Sequence, residues 1–467
     1  MFIGRKYELN ELEKLYQKKS FSFPVIYGRR RVGKSKLLRE FAKGKTAIFF
    51  TAIESNSSKN LELLSSAIWN MLMPEMASLP AFSSYDNAFD RITEIARRQK
   101  LVFIIDEYPY LASAEKGISS LIQSYIDNHF SDTDMMLILC GSSMSFMEHQ
   151  VLGYQSPLYG RRTSQFKILP FDYLESAQFV PRYTNEEKAF VYGITGGIPK
   201  YLELIDQNLT LKENIIEIFL KPNGYLYEEP YNLLKQELKE PANYNAVIEA
   251  VATGASRLNE ISTKTHIDTA NLSACLRTLI SLGIIKKETA ITEESNRKKT
   301  LYSLADYMFR FWYRYIPNNA FMITSGDAEA VYDSRVKNTL NDFMGLIYEE
   351  MCKQYLQKQN RQNQLPFKIQ KLGRWWGNNH VHRREMEIDV IGINEDNHSA
   401  LFGECKFRNE PVDKEILEKL EEYSMIFTKY TEKHYILFSK SGFCENLCRM
   451  ANDKKCLLVT LDDMYLE

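Results

Sequence analysis

Cysteine is scarce and scattered in this chain. Seven are spread over 467 residues, at positions 140, 275, 352, 405, 444, 448 and 456. An odd, dispersed count gives no disulfide framework and fits a reducing, cytoplasmic setting. Cys444, Cys448 and Cys456 lie near one another in sequence, but no Cys/His half-site accompanies them, so a zinc centre is not expected. No apolar run approaches the ~18 residues of a membrane span. The opening MFIGRKYELNELEKL is amphipathic and charged, without the apolar segment of a secretion signal. Net charge is missing as well. The 59 basic and 60 acidic residues nearly cancel, so bulk electrostatics selects no partner and any nucleic-acid surface must be a local patch.

What is present is a soluble, globular composition, 44% hydrophobic and 25% charged. The length exceeds one ordinary core and implies roughly two to four domains. Between residues 25 and 170, short β-rich runs alternate with helical stretches. The runs are VIYG (25–28), AIFFTAI (47–53), LVFIID (101–106), MLILCGS (136–142) and FKIL (166–169). Continuous apolar runs separated by helices predict buried parallel strands in a βαβ array.

The first run leads into Gly28-Arg29-Arg30-Arg31-Val32-Gly33-Lys34-Ser35-Lys36, which fits G-x-x-x-x-G-K-[ST] between a strand and a helix. The glycines let successive N–H groups turn around a phosphate, and the helix N-terminus adds positive charge. Lys34 is expected to reach the β/γ-phosphates of ATP, and Ser35 to ligate Mg²⁺. Asp106 ends an apolar strand, where it can hold that ion through water, and Glu107 is placed to polarise an attacking water. Ser142, at the end of the next run, is either a γ-phosphate sensor or a strand-end cap. Arg161 and Arg162 are either candidates for stabilising transferred charge or members of a surface salt bridge.

Together FIGRKYELNELEKL, GRRRVGKS, IIDEYPYL, LILCGSS, LYGRR and TGGIPKYL (195–202) resemble the archaeal/bacterial ATPase family of the AAA+/STAND-like P-loop proteins. The resemblance covers about the first 235 residues. It implies a five-stranded parallel core with a helical lid. It also implies that Ile3, Gly4 and Arg5 lie near the adenine, and that Gly197 and Pro199 shape the lid near the nucleotide.

Residues 244–304 show three short helical patterns and a strand pair with a basic turn, and resemble a winged helix-turn-helix. Leu272, Leu276, Leu279 and Ile280 form the core stripe of the third helix, and Gly283 suits its cap. The wing would bring Arg297, Lys298 and Lys299 to phosphate. The alternative is a lid or protein-contact module, because only Asn271, Ser273 and Arg277 are exposed polar candidates on the recognition helix.

Near the C-terminus, EIDVIGINEDNHSALFGECKF (387–407) places acids and a lysine on apolar strands. A hairpin with its turn centred between Asp396 and Asn397 sets Asp389 opposite Glu404 and Glu387 opposite Lys406, with Cβ atoms about 5 Å apart. Opposed carboxylates on an apolar hairpin repel unless a cation lies between them, and a hard divalent ion takes such oxygens. Lys406 can position water or steady a phosphate. Glu349, on the preceding helix, is a further ligand or the holder of a second ion. The pattern resembles the PD-(D/E)xK nuclease superfamily, with Ile388 where proline often stands. Lys353, Lys358, Arg361, Lys368, Lys371, Arg374, Arg383 and Arg384 form a basic stretch free of acids, with Trp375, Trp376, His380 and His382 interleaved. It is either a nucleic-acid surface or a solubilising face over two core tryptophans.

The expected architecture is therefore α/β: a P-loop ATPase core with a parallel sheet (1–171) and a helical lid (172–242). A winged helix-turn-helix with an aromatic extension (243–316) and a connector (317–339) follow. The chain then closes with an α/β restriction-endonuclease-like domain (340–467). The expected activity is Mg²⁺-dependent ATP hydrolysis whose nucleotide state controls a DNA-binding, DNA-cleaving half. The rival reading is a signalling switch whose last domain binds a partner without cutting. ATP and DNA are the expected partners, no membrane is expected, and homo-oligomers are allowed.

Overall fold

The computed structural model describes residues 2–75, 79–238, 240–293, 300–379 and 384–466. Arg297, Lys298, Lys299, His380, His382 and Arg383 lie outside the described residues. The chain divides into two compact units. One is Met1–Pro170 with Ile198–Lys200, and the other is Phe171–Gly197 with Tyr201–Glu467. No helix among the described residues is long and apolar enough to cross a membrane.

The first unit is built on five parallel strands: β1 (Pro24–Tyr27), β2 (Ala47–Thr51), β3 (Val102–Asp106), β4 (Met136–Gly141) and β5 (Ser164–Lys167). Their order is β2-β3-β4-β1-β5. β1, β3 and β4 are buried along their whole length, which is why they read as unbroken apolar runs rather than alternating ones. Val25, Phe50, Phe103, Ile105, Leu137 and Leu139 form the middle of the core. β4 lies between β3 and β1, so the C-terminal ends of all three stand side by side at the edge where ligands of open α/β sheets bind.

The second unit begins with helices. Tyr173–Ala177, Asn185–Thr195 and Leu211–Phe219 each open with a capping box, Asp172/Glu175, Thr184/Glu187 and Thr210/Glu213. Gly197, at φ +67°, has no room for a side chain, since a Cβ would stand 2.1 Å from the Phe171 carbonyl oxygen. After the helix Glu229–Glu237 come three more, Pro241–Ala252, Leu258–Thr265 and Thr269–Ser281. Asp268 caps the third by accepting from the Ala270 and Asn271 N–H groups. An antiparallel pair, β6 (Ile285–Thr289) and β7 (Thr300–Leu304), completes this module. Aromatic residues 307–315 form a helix whose Phe309, Phe311, Trp312, Tyr313 and Tyr315 are buried. Residues 317–339, read from sequence as a connector, are a series of short helical segments.

The chain then enters the long helix Leu340–Arg361 and a mixed sheet of β8 (Lys371–Asn379), β9 (Arg384–Asn394), β10 (Ser399–Lys406), β11 (Glu432–Ser439) and β12 (Cys456–Thr460). The order is β12-β11-β10-β9-β8. β8, β9 and β10 run antiparallel, whereas β10, β11 and β12 are parallel. The helix Lys414–Ser424 covers one face with Leu417 and Leu420, against Phe402, Ile391 and Leu437.

Candidate functional site

The phosphate loop leaves β1 at Gly28, where a Cβ would lie 2.4 Å from the Ile168 carbonyl oxygen. Arg31, at φ +72°, and Gly33, at φ +86°, turn the chain into the helix Lys34–Ala42. Lys34 is buried, and its Nζ donates to the carbonyls of Gly28 at 2.8 Å and Arg29 at 2.9 Å. The lysine is thereby held along the inside of the loop. Ser35 is half-buried in the first turn, whereas Lys36 is exposed. Arg29 is buried, and Arg30 donates to the Tyr110 hydroxyl at 2.9 Å. Arg5, buried and at φ +59°, donates to the carbonyls of Val32 (3.0 Å) and Leu169 (2.6 Å). It ties the Gly4-Arg5 turn to the loop and to the end of β5. The Lys200 N–H donates to the Arg31 carbonyl, and Pro199 stands 3.7 Å from the place a Gly33 Cβ would take.

Asp106 ends β3 and is buried. Its Oδ1 accepts from the Glu107 N–H at 3.1 Å. Glu107, at φ +52°, turns its Oε2 to Ser142, accepting from the hydroxyl at 2.8 Å and the N–H at 3.2 Å. Ser142 thus grips the glutamate, a partnership that sequence did not suggest. Cys140, also missed, lies beside Asp106, and burial pushes its thiol well above the usual range. Arg161 forms a bidentate pair with Asp127, both distances 2.7 Å, which holds that carboxyl below its ordinary value. Arg162 donates to the Leu152 carbonyl at 3.2 Å. The surface salt bridge is thus present at Arg161.

The second cluster lies on β9 and β10. Their ladder runs from Asn394↔Ser399 to Val390↔Gly403. The same frame sets Asp389 across from Glu404, but there the strands part, and Asp389 Oδ2 accepts from the Cys405 N–H at 2.9 Å. Lys406 Nζ lies 2.6 Å from Glu404 Oε1 and 3.8 Å from Asp389 Oδ2. Burial raises the Asp389 carboxyl against the pull of Lys406. Burial and then the Asp389 charge raise Glu404. The two carboxylates hold the Lys406 ammonium charged, outweighing its own burial.

Glu349 reaches the cluster from the Leu340–Arg361 helix, and burial pushes its carboxyl up to about 7. Its Oε2 lies 3.1 Å from Arg374 Nε, yet neither atom makes a hydrogen bond. Arg374 also pairs with Glu387 and approaches Glu288 at 3.9 Å. Sequence placed Arg374 in a free basic stretch, but it serves as an internal counter-ion. Lys353 is buried against Glu350 and Glu288, and Lys371 pairs with Glu395. Three members of the stretch, Lys353, Lys371 and Arg374, are therefore paired with acids. Trp375 is core, packed edge-on to Phe427, and Trp376 is half-buried.

Among the described residues, no three His, Cys, Asp or Glu side chains gather as a metal centre. The expected trio of carboxylates is split, because Lys406 bridges Asp389 and Glu404 while Arg374 draws Glu349 aside. The donor set still fits a hard cation in kind: oxygen ligands from buried carboxylates, one oxygen without a hydrogen bond.

A family profile of ATPase domains found predominantly in Archaea matches residues 2–205. A profile of archaeal and bacterial proteins of unknown function matches residues 312–422. An uncharacterised protein of Methanocaldococcus jannaschii is 32% identical over 467 residues, 99% of this chain and 100% of its own. An uncharacterised ATP-binding protein of the same organism is 42% identical over 45 residues, 10% of this chain and 76% of its own. Among solved structures, the Walker-type ATPase of Pyrococcus abyssi superposes with a TM-score of 0.52 at 21% identity, over 67% of this chain and 96% of that one. At that identity the likeness speaks to the fold alone.

Proposed function

The chain belongs to one family with the full-length Methanocaldococcus jannaschii protein and carries an archaeal-type P-loop ATPase domain; from that premise we propose that ATP turnover in this domain controls a DNA-binding, DNA-cleaving C-terminal half. In the first unit Lys34 neutralises the β/γ-phosphates and the loop N–H groups orient them. Glu107, once released by Ser142, aligns the attacking water. Ser35 and Asp106 would hold the magnesium ion, which supplies charge neutralisation on the triphosphate. Pro199 and Lys200, which open the short helix Pro199–Leu202, touch the phosphate loop, and the chain continues from there into the helices Leu211–Phe219 and Glu229–Glu237. This connection gives nucleotide state a route along the chain.

The observation that carries the nuclease reading is the convergence of Asp389, Glu404 and Lys406 where β9 and β10 part. Asp389 and Glu404, with Glu349, would hold a divalent ion, which supplies charge stabilisation for phosphodiester hydrolysis. Lys406 lies within reach of both carboxylates and is the residue to orient water toward phosphorus. The pairing of Lys406 with both acids and of Arg374 with Glu349 favours a second reading. Acids already partnered by basic side chains also suit a domain that binds a partner protein and cuts nothing.

The coupling is tested by measuring affinity for DNA with a non-hydrolysable ATP analogue, with ADP and with no nucleotide. The proposal expects the three affinities to differ, and identical values would refute it.

A further inference from the structure

The Asp389–Glu404–Lys406 cluster stands at the bottom of a cavity of about 940 Å³. Its floor is β8 to β10. Its opposite wall comes from elsewhere in the second unit: Ser256, Arg257 and Glu260 at the start of the Leu258–Thr265 helix, and Leu301 on β7. A second cavity, of about 800 Å³, lies on the other face of β7, where Thr300 and Tyr302 line it. Alternate residues of a strand point to opposite faces, so β7 is the partition, and Arg257 borders both cavities.

Size restricts what reaches the floor. A cavity of ~300–1000 Å³ encloses one drug-sized molecule, which is the bulk of a few nucleotides of one strand. A B-form duplex, whose major groove alone is ~12 Å wide, is far bulkier than that volume. Chemistry points the same way. The half-buried Trp376 borders the cavity and offers a ring on which an unpaired base can stack. Among the described lining residues, Glu260, Glu385, Glu387, Asp389 and Glu404 outnumber Arg257, Lys406 and Lys419. A polyanion therefore enters only with divalent cations to reverse that balance.

We propose that the cavity between β7 and the β8–β10 floor takes single-stranded DNA and excludes duplex, with Trp376 stacking on a base and Arg257 holding a phosphate where the strand crosses between the two cavities. The inference rests on the reading of the floor as a phosphodiester site, but binding and cutting separate in the test.

The full chain is titrated into a fluorescent single-stranded deoxyoligonucleotide of about a dozen nucleotides, and into its blunt duplex, by anisotropy with Ca²⁺ or with EDTA. The single strand should bind at least about tenfold tighter than the duplex, and only with Ca²⁺. Trp376→Ala should weaken it roughly 5- to 150-fold, the loss of one base–aromatic stack. Trp376→Phe should recover most of that and serves if the alanine variant fails to fold. Arg257→Ala should weaken binding and lower the salt slope by about one phosphate contact. Duplex bound as tightly as single strand, neither probe bound, or unchanged affinity in both the Trp376→Ala and Arg257→Ala variants would overturn the inference. Single strand held in this way but left intact with Mg²⁺ or Mn²⁺ supports the inference and removes the cutting activity alone.

Discussion

Glu349 links the C-terminal site to global stability through pH. Burial raises its carboxyl from 4.5 to about 7, with Arg374 pulling it down and Asp389 pushing it further up. A folded-state value above the unfolded one means that the folded chain holds the proton more tightly. The stability this gives is complete below about pH 4.5 and is lost as pH rises through about 7. The whole span corresponds to roughly 3 kcal/mol, of which a window from pH 5 to 8 covers about 2. Asp389 and Glu404 are also raised and add to the loss with the same sign. Glu350 is lowered, because Lys353 and Lys286 outweigh its burial, so its contribution is lost on acidification below the window instead. Urea unfolding at pH 5, 6, 7 and 8, followed by tryptophan fluorescence, reads the slope. The wild-type chain should lose about 2 kcal/mol or more across the window. Glu349→Gln should lose distinctly less, whatever its absolute stability without the Arg374 ion pair. A flat wild-type profile, or a Glu349→Gln profile equally steep, would refute the assignment of the buried proton to this residue.

Other expectations concern the first unit and its neighbouring turn. Lys34→Ala should abolish ATP binding or turnover in a radiolabelled hydrolysis assay, and Glu107→Gln should bind ATP yet hydrolyse it about 100-fold more slowly. Arg161→Ala should leave turnover unchanged and cost at most about 1 kcal/mol, as expected of an exposed pair with Asp127; a large drop in turnover would make it the charge-stabilising arginine instead. Gly197→Ala should lower the unfolding midpoint by the equivalent of roughly 1–2 kcal/mol for the left-handed backbone alone, with more for the clash against Phe171. An unchanged midpoint would mean that this turn is not built as described.

The parallel core was legible because burial on both faces removes alternation, so β1, β3 and β4 stand out as apolar runs ending in Gly28, Asp106 and Ser142. The loop from Gly28 to Ser35 needed only its spacing and its flanking strand and helix. The β9–β10 frame was legible too, since a turn at Asn394–Asn397 and period-two alternation leave a single register. Charges were harder. Arg374 and Lys353 read as a free basic run, because Glu288, Glu349 and Glu387 reach them from other elements and no local pattern announces such pairs; the Glu350–Lys353 pair, three residues apart on one helix, was the local signal missed. The grip of Ser142 on Glu107 depends on β3 and β4 lying side by side, which strand order alone decides. The cavity wall at Ser256–Glu260 and Leu301 was hidden for the same reason: it is far in sequence from the floor it faces.

The central claim is that one polypeptide joins an ATP-hydrolysing site to a second, phosphodiester-cleaving site under its control. The most direct measurement is cleavage of labelled single- and double-stranded DNA by the wild-type, Lys34→Ala and Asp389→Ala proteins, with Mg²⁺ or Mn²⁺, with and without ATP. The account predicts metal-dependent cutting by the wild type at a rate that changes with ATP. It predicts loss of the ATP effect in Lys34→Ala and loss of cutting in Asp389→Ala. No cutting under any of these conditions, or cutting undiminished in Asp389→Ala, would contradict it.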